Sequence, residues 1–344
     1  MIASEPILPQ VSALEKAWSR VQRYVLRQPS RFFFFSESAL DGNARRAKAL
    51  IQRDVDGAFF RSATPWVHCT PAVPYFVYLD VVFQTFFENT FDNRHFHAFD
   101  LERIYSSEAG FLENAAAVFF ESAWGMEQAK GAYKLSGTHY HAIYRGGALD
   151  PPVQDTWSGN PLMLLSIAMK FQQKGGDIIL EAFKRLKRDY PGLRWHIIGG
   201  PPDGDWQNVD GIVHEGVLNP DHPVDRSRFR QLLSNAFLLL HPTREDTSPL
   251  VLTEAACFGC PSISVRRFAI PELVRDGETG RLLDWPVEPE TLADAVRQLI
   301  ENPAGYRRMR QAAFDSSRGQ FGWELIGQRM AAVMKQALEY RGHR

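Results

Sequence analysis

Short apolar runs alternate with amphipathic stretches along this chain, and no other feature restricts its fold so tightly. "LMLLSIA" at 162–168 is strand-length and apolar but for Ser166, the pattern of a strand covered on both faces. "GGDIILEAFKRLKRDY" at 175–190 then places its apolar residues at helical spacing, and "LRWHIIGG" at 193–200 is a second buried strand. Strand, helix, strand in that order builds a parallel pair, because a parallel connection has to cross the sheet. The alternation continues with the strand "GIVHEG", the helix "RFRQLLSNA", the strand "FLLLHP", a helix over 249–259, the strand "PSISV", the helical turn "AIPELV" and the strand "GRLLD". Three helices close the chain, in "PETLADAVRQLIENP", "AGYRRMRQAAFDSS" and "WELIGQRMAAVMKQALEYR".

The first half has the same pattern. A helix in "VSALEKAWSRVQRYVLR" is followed by a strand at Phe32–Phe35, a helix in "GNARRAKALIQR" and the strands "GAFFRSA" and "PYFVYLD". Next come a helix in "LERIYSSEAGFLENAA", the strand "AVFFESA", a helix in "MEQAKGAYKL" and the strand "HYHAIYR". "GGALDPPVQDTWSGNP", rich in Gly, Pro and polar residues, is the expected linker. A chain of 344 residues accommodates two domains. The expectation is α/β with two doubly wound Rossmann-like domains facing a central cleft: 1–154, 155–325, and a last helix over 326–344 that packs back on the first domain.

Composition removes several functions. Lys and Arg total 39 against 40 Asp and Glu, so there is no overall basic field for nucleic acid. Three cysteines cannot build a disulfide framework and fit a reducing, cytoplasmic setting. No apolar run reaches membrane-spanning length, and "MIASEPILPQ" is not a secretory leader. The first helix, basic and apolar, leaves peripheral membrane contact open. Cys257 and Cys260 form a lone C-x-x-C, half of a zinc site at most, and the His95/His97 and His139/His141 pairs lack further ligands. No protein-bound metal is expected.

The chemistry gathers in "HPTREDTSPLVLTEAACFGCP" at 241–261, where Glu254 interrupts an apolar helix and Asp246 stands eight residues earlier. Ser248 and Pro249 form a helix start, a hydroxyl cap followed by Pro. The N–H groups of Leu250 and Val251 then point out of that start, where an anion is favoured. Phosphates at the helix start with a carboxylate on either side suit a nucleotide sugar. The plainer alternative makes Asp246 a cap and Glu254 the partner of a neighbouring loop. Lys170 and Lys174 precede a Gly-Gly helix start after the strand 162–168 and can neutralise a leaving diphosphate, or can simply be solvated. Gly199 and Gly200 open a loop that can face a base or ribose, although the G-x-G-x-x-G phosphate fingerprint is absent.

From about Leu162 to Glu324 these pieces, taken in order, resemble the donor-binding domain of the family 4 retaining glycosyltransferases (glycosyl transferases group 1), which have the GT-B fold. "KGGDIILEAFKRLKRDYPGLRWHIIGG", "DTSPLVLTEAACFGCP", "IPELVRDGETGRLLD", "PETLADAVRQLIENP" and "FGWELIGQRM" carry the resemblance, the second as the family's E-x7-E motif. It implies that Glu254 holds the nucleotide ribose, that Asp246 contacts the transferred sugar and that Lys174 binds phosphate. The family's Arg ahead of that Lys is replaced here by Met169, with Lys170 beside it. The donor implied is a nucleoside-diphosphate sugar (UDP, GDP or ADP), with no permanently bound cofactor and a sugar-containing or lipid-linked acceptor. "VYLD" and "AVFFESAWGMEQAKGAY" resemble the acceptor side more loosely, with Asp80 where many relatives carry a His facing the sugar. Asp80 also suits a strand-end cap. Trp66, His68, His95 and His97 suit an acceptor groove, or loop anchors. The glycine-rich first loop is missing, which marks the first domain as short or atypical. Beside a transferase stand two alternatives, a GT-B protein that binds a sugar nucleotide without catalysis and a sugar-nucleotide epimerase.

Overall fold

A computed structural model describes Ile7 and residues 11–51, 55–159 and 162–342. The expectations for the first ten residues, for the end of the helix at 52–53, for the last two linker residues and for 343–344 lie almost wholly outside these. The chain forms two compact units, 1–143 together with 328–344, and 144–327.

In the first unit α1 (Ala13–Arg20) runs into a π turn at Val21–Val25, and α2 (Glu37–Leu50) follows. Then come β1 (Ala58–Arg61), β2 (Tyr75–Leu79), α3 (Phe83–Thr90), α4 (Ala98–Glu113), β3 (Ala117–Phe120), α5 (Ala123–Tyr133) and β4 (Tyr140–Ala142). The four strands pair in parallel in the order β1-β2-β3-β4. β2 and β3 are buried at every residue, which is why "YFVYL" and "AVFF" show no polar alternation. Among the described residues strand order follows chain order, with no point where the winding reverses. Double winding is a property of the second unit.

Two local expectations are corrected here. Phe32–Phe35 is not a strand: Phe33–Phe35 is a 3-10 turn. The Phe32 N–H donates to Asp100 Oδ2 at 2.8 Å, and the Phe32 ring packs on Phe83, Phe87 and Phe96. Packing of the rings, not ladder pairing, sets that backbone. α3 was not expected at all. Its first N–H, on Phe83, donates at 2.6 Å to Glu108 Oε2, from a residue on α4. That buried carboxylate also accepts from Thr64 Oγ1 at 2.7 Å and Tyr133 Oη at 2.6 Å, and burial raises its pKa.

The second unit contains β5 (Met163–Ala168), α6 (Gly176–Asp189), β6 (Arg194–Gly199), β7 (Ile212–Gly216), α7 (Pro223–Asn235), β8 (Leu238–His241) and α8 (Leu250–Cys257). β9 (Ser262–Val265), α9 (Ile270–Leu273), β10 (Gly280–Leu283), α10 (Pro289–Glu301) and α11 (Pro303–Gln320) complete it. The final helix, α12, spans Trp323–Gly342. Six strands pair in parallel in the order β10-β9-β8-β5-β6-β7. From β5 the chain winds through α6 towards β6, and from β8 it winds the other way through α8 towards β9. The reversal lies between β5 and β8, where a doubly wound sheet leaves a crevice at the strands' carboxyl ends.

The expected linker packs on this unit. Asp155 takes both ends of the buried Arg310 guanidinium at 2.6 and 2.8 Å, and Trp157 lies against Phe237 and Tyr306. Arg310 also donates to the carbonyls of Ala236 and Phe258, so α11 is fixed to the loops after α7 and α8. Among the described residues no helix is long and apolar enough to cross a membrane.

Candidate functional site

Two loops meet at the reversal point, and glycine permits it. Gly175, between β5 and α6, has φ +76, and a Cβ there would sit 2.2 Å from the Pro242 carbonyl oxygen of the loop after β8. Only a residue without a side chain lets the two backbones approach so closely. Arg244 reinforces the junction: its guanidinium grips both Asp177 oxygens at 2.7 and 2.8 Å, and its N–H donates to the Gln173 carbonyl at 3.0 Å. Thr243 shapes the rest of the loop by accepting the Glu245 and Asp246 N–H groups at 3.3 and 3.1 Å.

That loop presents Asp246 between Lys174 and His241. Lys174 Nζ lies 2.6 Å from Asp246 Oδ2, and His241 Nε2 lies 3.0 Å from the same oxygen. Burial would raise the Asp246 carboxyl, but the His241 bond and the charges of His241 and Lys174 take it down to about 2. The carboxylate is therefore ionised at any physiological pH. Lys174 and Asp246, expected as separate contacts, are direct partners here. His241, buried at the last position of β8, was not singled out in the sequence. Its only signal is a polar residue closing the apolar run "FLLL" at a strand's carboxyl end.

The start of α8 differs in one respect from expectation. The Ser248 hydroxyl does not cap it: Pro249 is the boundary residue, without a side-chain cap, and the helix begins at Leu250. With φ already fixed, Pro can stand at the boundary and lose no donor there. Asp246 does not cap it either, being held by His241 and Lys174. The first N–H groups of α8, on Leu250 and Val251, are among those that a helix leaves unsatisfied internally.

Glu254 is buried inside α8, 5% exposed, and its Oε1 accepts the Ala148 N–H at 3.2 Å. Burial raises its pKa, against the pull of that bond and of the Arg145 charge. Gly147 covers it closely, since a Cβ there would lie 3.5 Å from Glu254 Cγ. The plainer expectation, a carboxylate serving a neighbouring loop, thus describes its resting contact; a carboxylate retains acceptor capacity beyond one bond.

Other expected residues lie close by or elsewhere. Lys170 is exposed, and its carbonyl accepts the Lys174 N–H at 3.2 Å. Met169 beside it is also exposed. Gly199 and Gly200 are demanded by packing: Cβ atoms would fall 2.1 Å from the Ala168 oxygen and 2.4 Å from the Met169 oxygen. Asp80 belongs to the first unit, exposed at the end of β2, where Oδ1 accepts the Val81 N–H at 2.8 Å. Of the expected acceptor-side residues in that unit, Trp66 donates to the Arg61 carbonyl, His68 pairs with Asp41, and His97 stacks on Phe99. Cys257 and Cys260 are free buried thiols, both pushed up by burial, Cys260 to about 12. Among the described residues no group of three or more His, Cys, Asp or Glu side chains is placed to hold a metal ion.

Residues 152–316 match the family described as Glycosyl transferases group 1. The glycogen synthase of Mycobacterium tuberculosis is 29% identical over 176 residues, covering 50% of this chain and 42% of that protein. The D-inositol 3-phosphate glycosyltransferase of a Nocardioides species is 28% identical over 181 residues, covering 48% of this chain and 39% of that protein. The chain thus spans less than half the length of these curated relatives. Among solved structures, Anabaena Alr3699/HepE in complex with UDP superposes with a TM-score of 0.62 at 16% identity, over 87% of this chain and 82% of that one. The α/β fold with parallel sheets has glycosyltransferases of the GT-B kind as its structural neighbours.

Proposed function

We propose that this protein is a retaining glycosyltransferase of family 4 that moves a sugar from a nucleoside-diphosphate donor, held by the second unit, to an acceptor hydroxyl. The observation that carries the reading is the convergence of Lys174 and Asp246, 2.6 Å apart, on the reversal point between β5 and β8, beside the open start of α8. A diphosphate on the N–H groups of Leu250 and Val251 would meet the helix dipole and the Lys174 ammonium together. Negative charge grows on that diphosphate as the glycosidic bond breaks, so fixed positive charge there acts most strongly in the transition state. Asp246 would accept from the transferred sugar's hydroxyls, and Glu254 from the ribose. Lys170, exposed on the loop before α6, would add charge where Met169 supplies none, though without an Arg fork. The acceptor hydroxyl would attack from the leaving phosphate's own side, with a donor phosphate oxygen as base. Ser248, Gly199 and Gly200 would shape the pocket, and Asp80 would serve the acceptor side.

Three findings support this reading: the group 1 match over residues 152–316, the two sugar-transferring relatives' names and the UDP in the HepE complex. UDP-sugars are therefore the first donors to try, then GDP- and ADP-sugars, with mass-spectrometric detection of transfer or hydrolysis. Absence of both turnover and binding with every one of these donors would sink the proposal.

A second reading is a protein that binds a sugar nucleotide without transferring it. Met169 and the bond that ties Glu254 to the Ala148 N–H favour it. Calorimetric donor binding that survives Asp246→Ala, with no transfer, would select it.

A further inference from the structure

The first helix is built inside out. Leu14, Trp18, Val21 and Val25 recur at steps of four, three and four residues, which puts them on one face. That face is turned outward: Leu14 is 83% exposed, Trp18 58% and Val25 71%. The face turned inward is polar. Ser19 is 3% exposed and donates to Ser30 Oγ at 2.9 Å, while the Glu15 carboxylate accepts from Ser36 and Ser38 at 3.0 and 3.2 Å. Arg23 lies over the Phe96 ring, 5.3 Å from its centroid. A surface helix of a globular protein normally shows the opposite arrangement, and leaving Leu14, Trp18 and Val25 in water opposes folding unless something covers them.

The charge beside the stripe indicates what does. Residues 11–35 carry five basic side chains, Lys16, Arg20, Arg23, Arg27 and Arg31, against the single acid Glu15, which is engaged by the two serines. Lys16, Arg20 and Arg27 are exposed. A second copy of the chain is a poor partner, since a two-fold contact through the stripe would bring these cations against their own counterparts. A surface that offers hydrocarbon and fixed negative charge together satisfies both features.

We infer that Ala13–Val25 docks the protein on an anionic lipid bilayer, the stripe entering the headgroup region and the cations lying along its surface. Trp18 is at home at that depth, and Lys and Arg stems reach from it to the phosphates. This goes beyond sugar transfer and does not depend on it.

Co-sedimentation of the full chain with phosphatidylcholine vesicles, with and without phosphatidylglycerol, tests the inference. Affinity should be at least about tenfold higher on the anionic vesicles and fall with salt. The double variant Trp18→Ser, Val25→Ser should leave thermal unfolding unchanged, because both side chains are exposed, and should abolish sedimentation. Arg20→Glu with Arg27→Glu should remove the preference for the anionic lipid. Comparison with Trp18→Phe should assign a blue-shifted indole emission on vesicles to position 18. The inference is overturned if the wild type stays in the supernatant with anionic vesicles, or if the serine variant sediments like it. Self-association that disappears in the serine variant, without vesicle binding, would instead identify the stripe as a contact between copies.

Discussion

Lys174 Nζ and Asp246 Oδ2 stand 2.6 Å apart, and they come from the loops of two neighbouring strands, β5 and β8. In the free protein each satisfies the other. A bound diphosphate would compete for Lys174, releasing one Asp246 lone pair for the sugar. Asp246→Asn keeps the shape and loses the charge, and Lys174→Ala removes the cation. Each is expected to lower transfer by about a hundredfold or more. Lys174→Ala should also weaken donor binding in calorimetry.

His241 Nε2 lies 3.0 Å from Asp246 Oδ2, and its effect should appear in the pH dependence of stability. Asp246 is depressed from 3.8 to about 2, so its contribution to stability is complete above pH 4 and is lost as pH falls towards 2. That contribution is on the order of 2 kcal/mol at most. His241→Ala withdraws one support, so the acid limb of thermal stability should move to higher pH. If the limb stays in place, His241 does not govern Asp246.

Glu254→Gln retains an oxygen for the Ala148 N–H, so the fold should survive with little change in melting temperature. Glu254→Ala leaves that N–H without its partner and should cost about 1–3 kcal/mol. Donor binding should weaken in both. Equal donor affinity in wild type and Glu254→Gln would remove Glu254 from the nucleotide site.

Gly175→Ala forces a Cβ into the Pro242 carbonyl at a positive φ. The two loops must part or the backbone must strain, at a cost of about 1–3 kcal/mol or more by denaturant unfolding. Gly192→Ala, where a Cβ meets nothing within 4 Å, is the matched control.

Arg310 is 2% exposed, with Asp155 and several carbonyls around its guanidinium. Arg310→Met strands Asp155 and those carbonyls, and a loss of about 3–5 kcal/mol is expected. Arg310→Lys should not restore it, since one ammonium cannot reproduce the two-pronged grip on Asp155.

Strand and helix order in the second unit was legible because its buried strands are largely apolar and its helices keep a clear periodicity, as "LMLLSIA" and "IILEAFKRL" show. The failures share one cause, dependence on residues far away in sequence. The turn at Phe32–Phe35 is fixed by Asp100, and α3 begins where Glu108 meets Phe83, both beyond any local window. Asp246 and Glu254 were visible as acids with unusual neighbours. The pairing of Asp246 with Lys174 was not, because it spans 72 positions and depends on two strands lying side by side.

The position of β5 has a further consequence. It pairs with β6 on one edge and β8 on the other, and each neighbour leads into a separate wing of the sheet. A half-formed unit containing only β5, α6 and β6 would display Lys174 with no carboxylate opposite, and one containing only β8 and α8 would display Asp246 with no ammonium. If the proposed donor site is right, nucleotide binding would therefore require both wings to have closed on the central strand, and would read out completed folding of the unit.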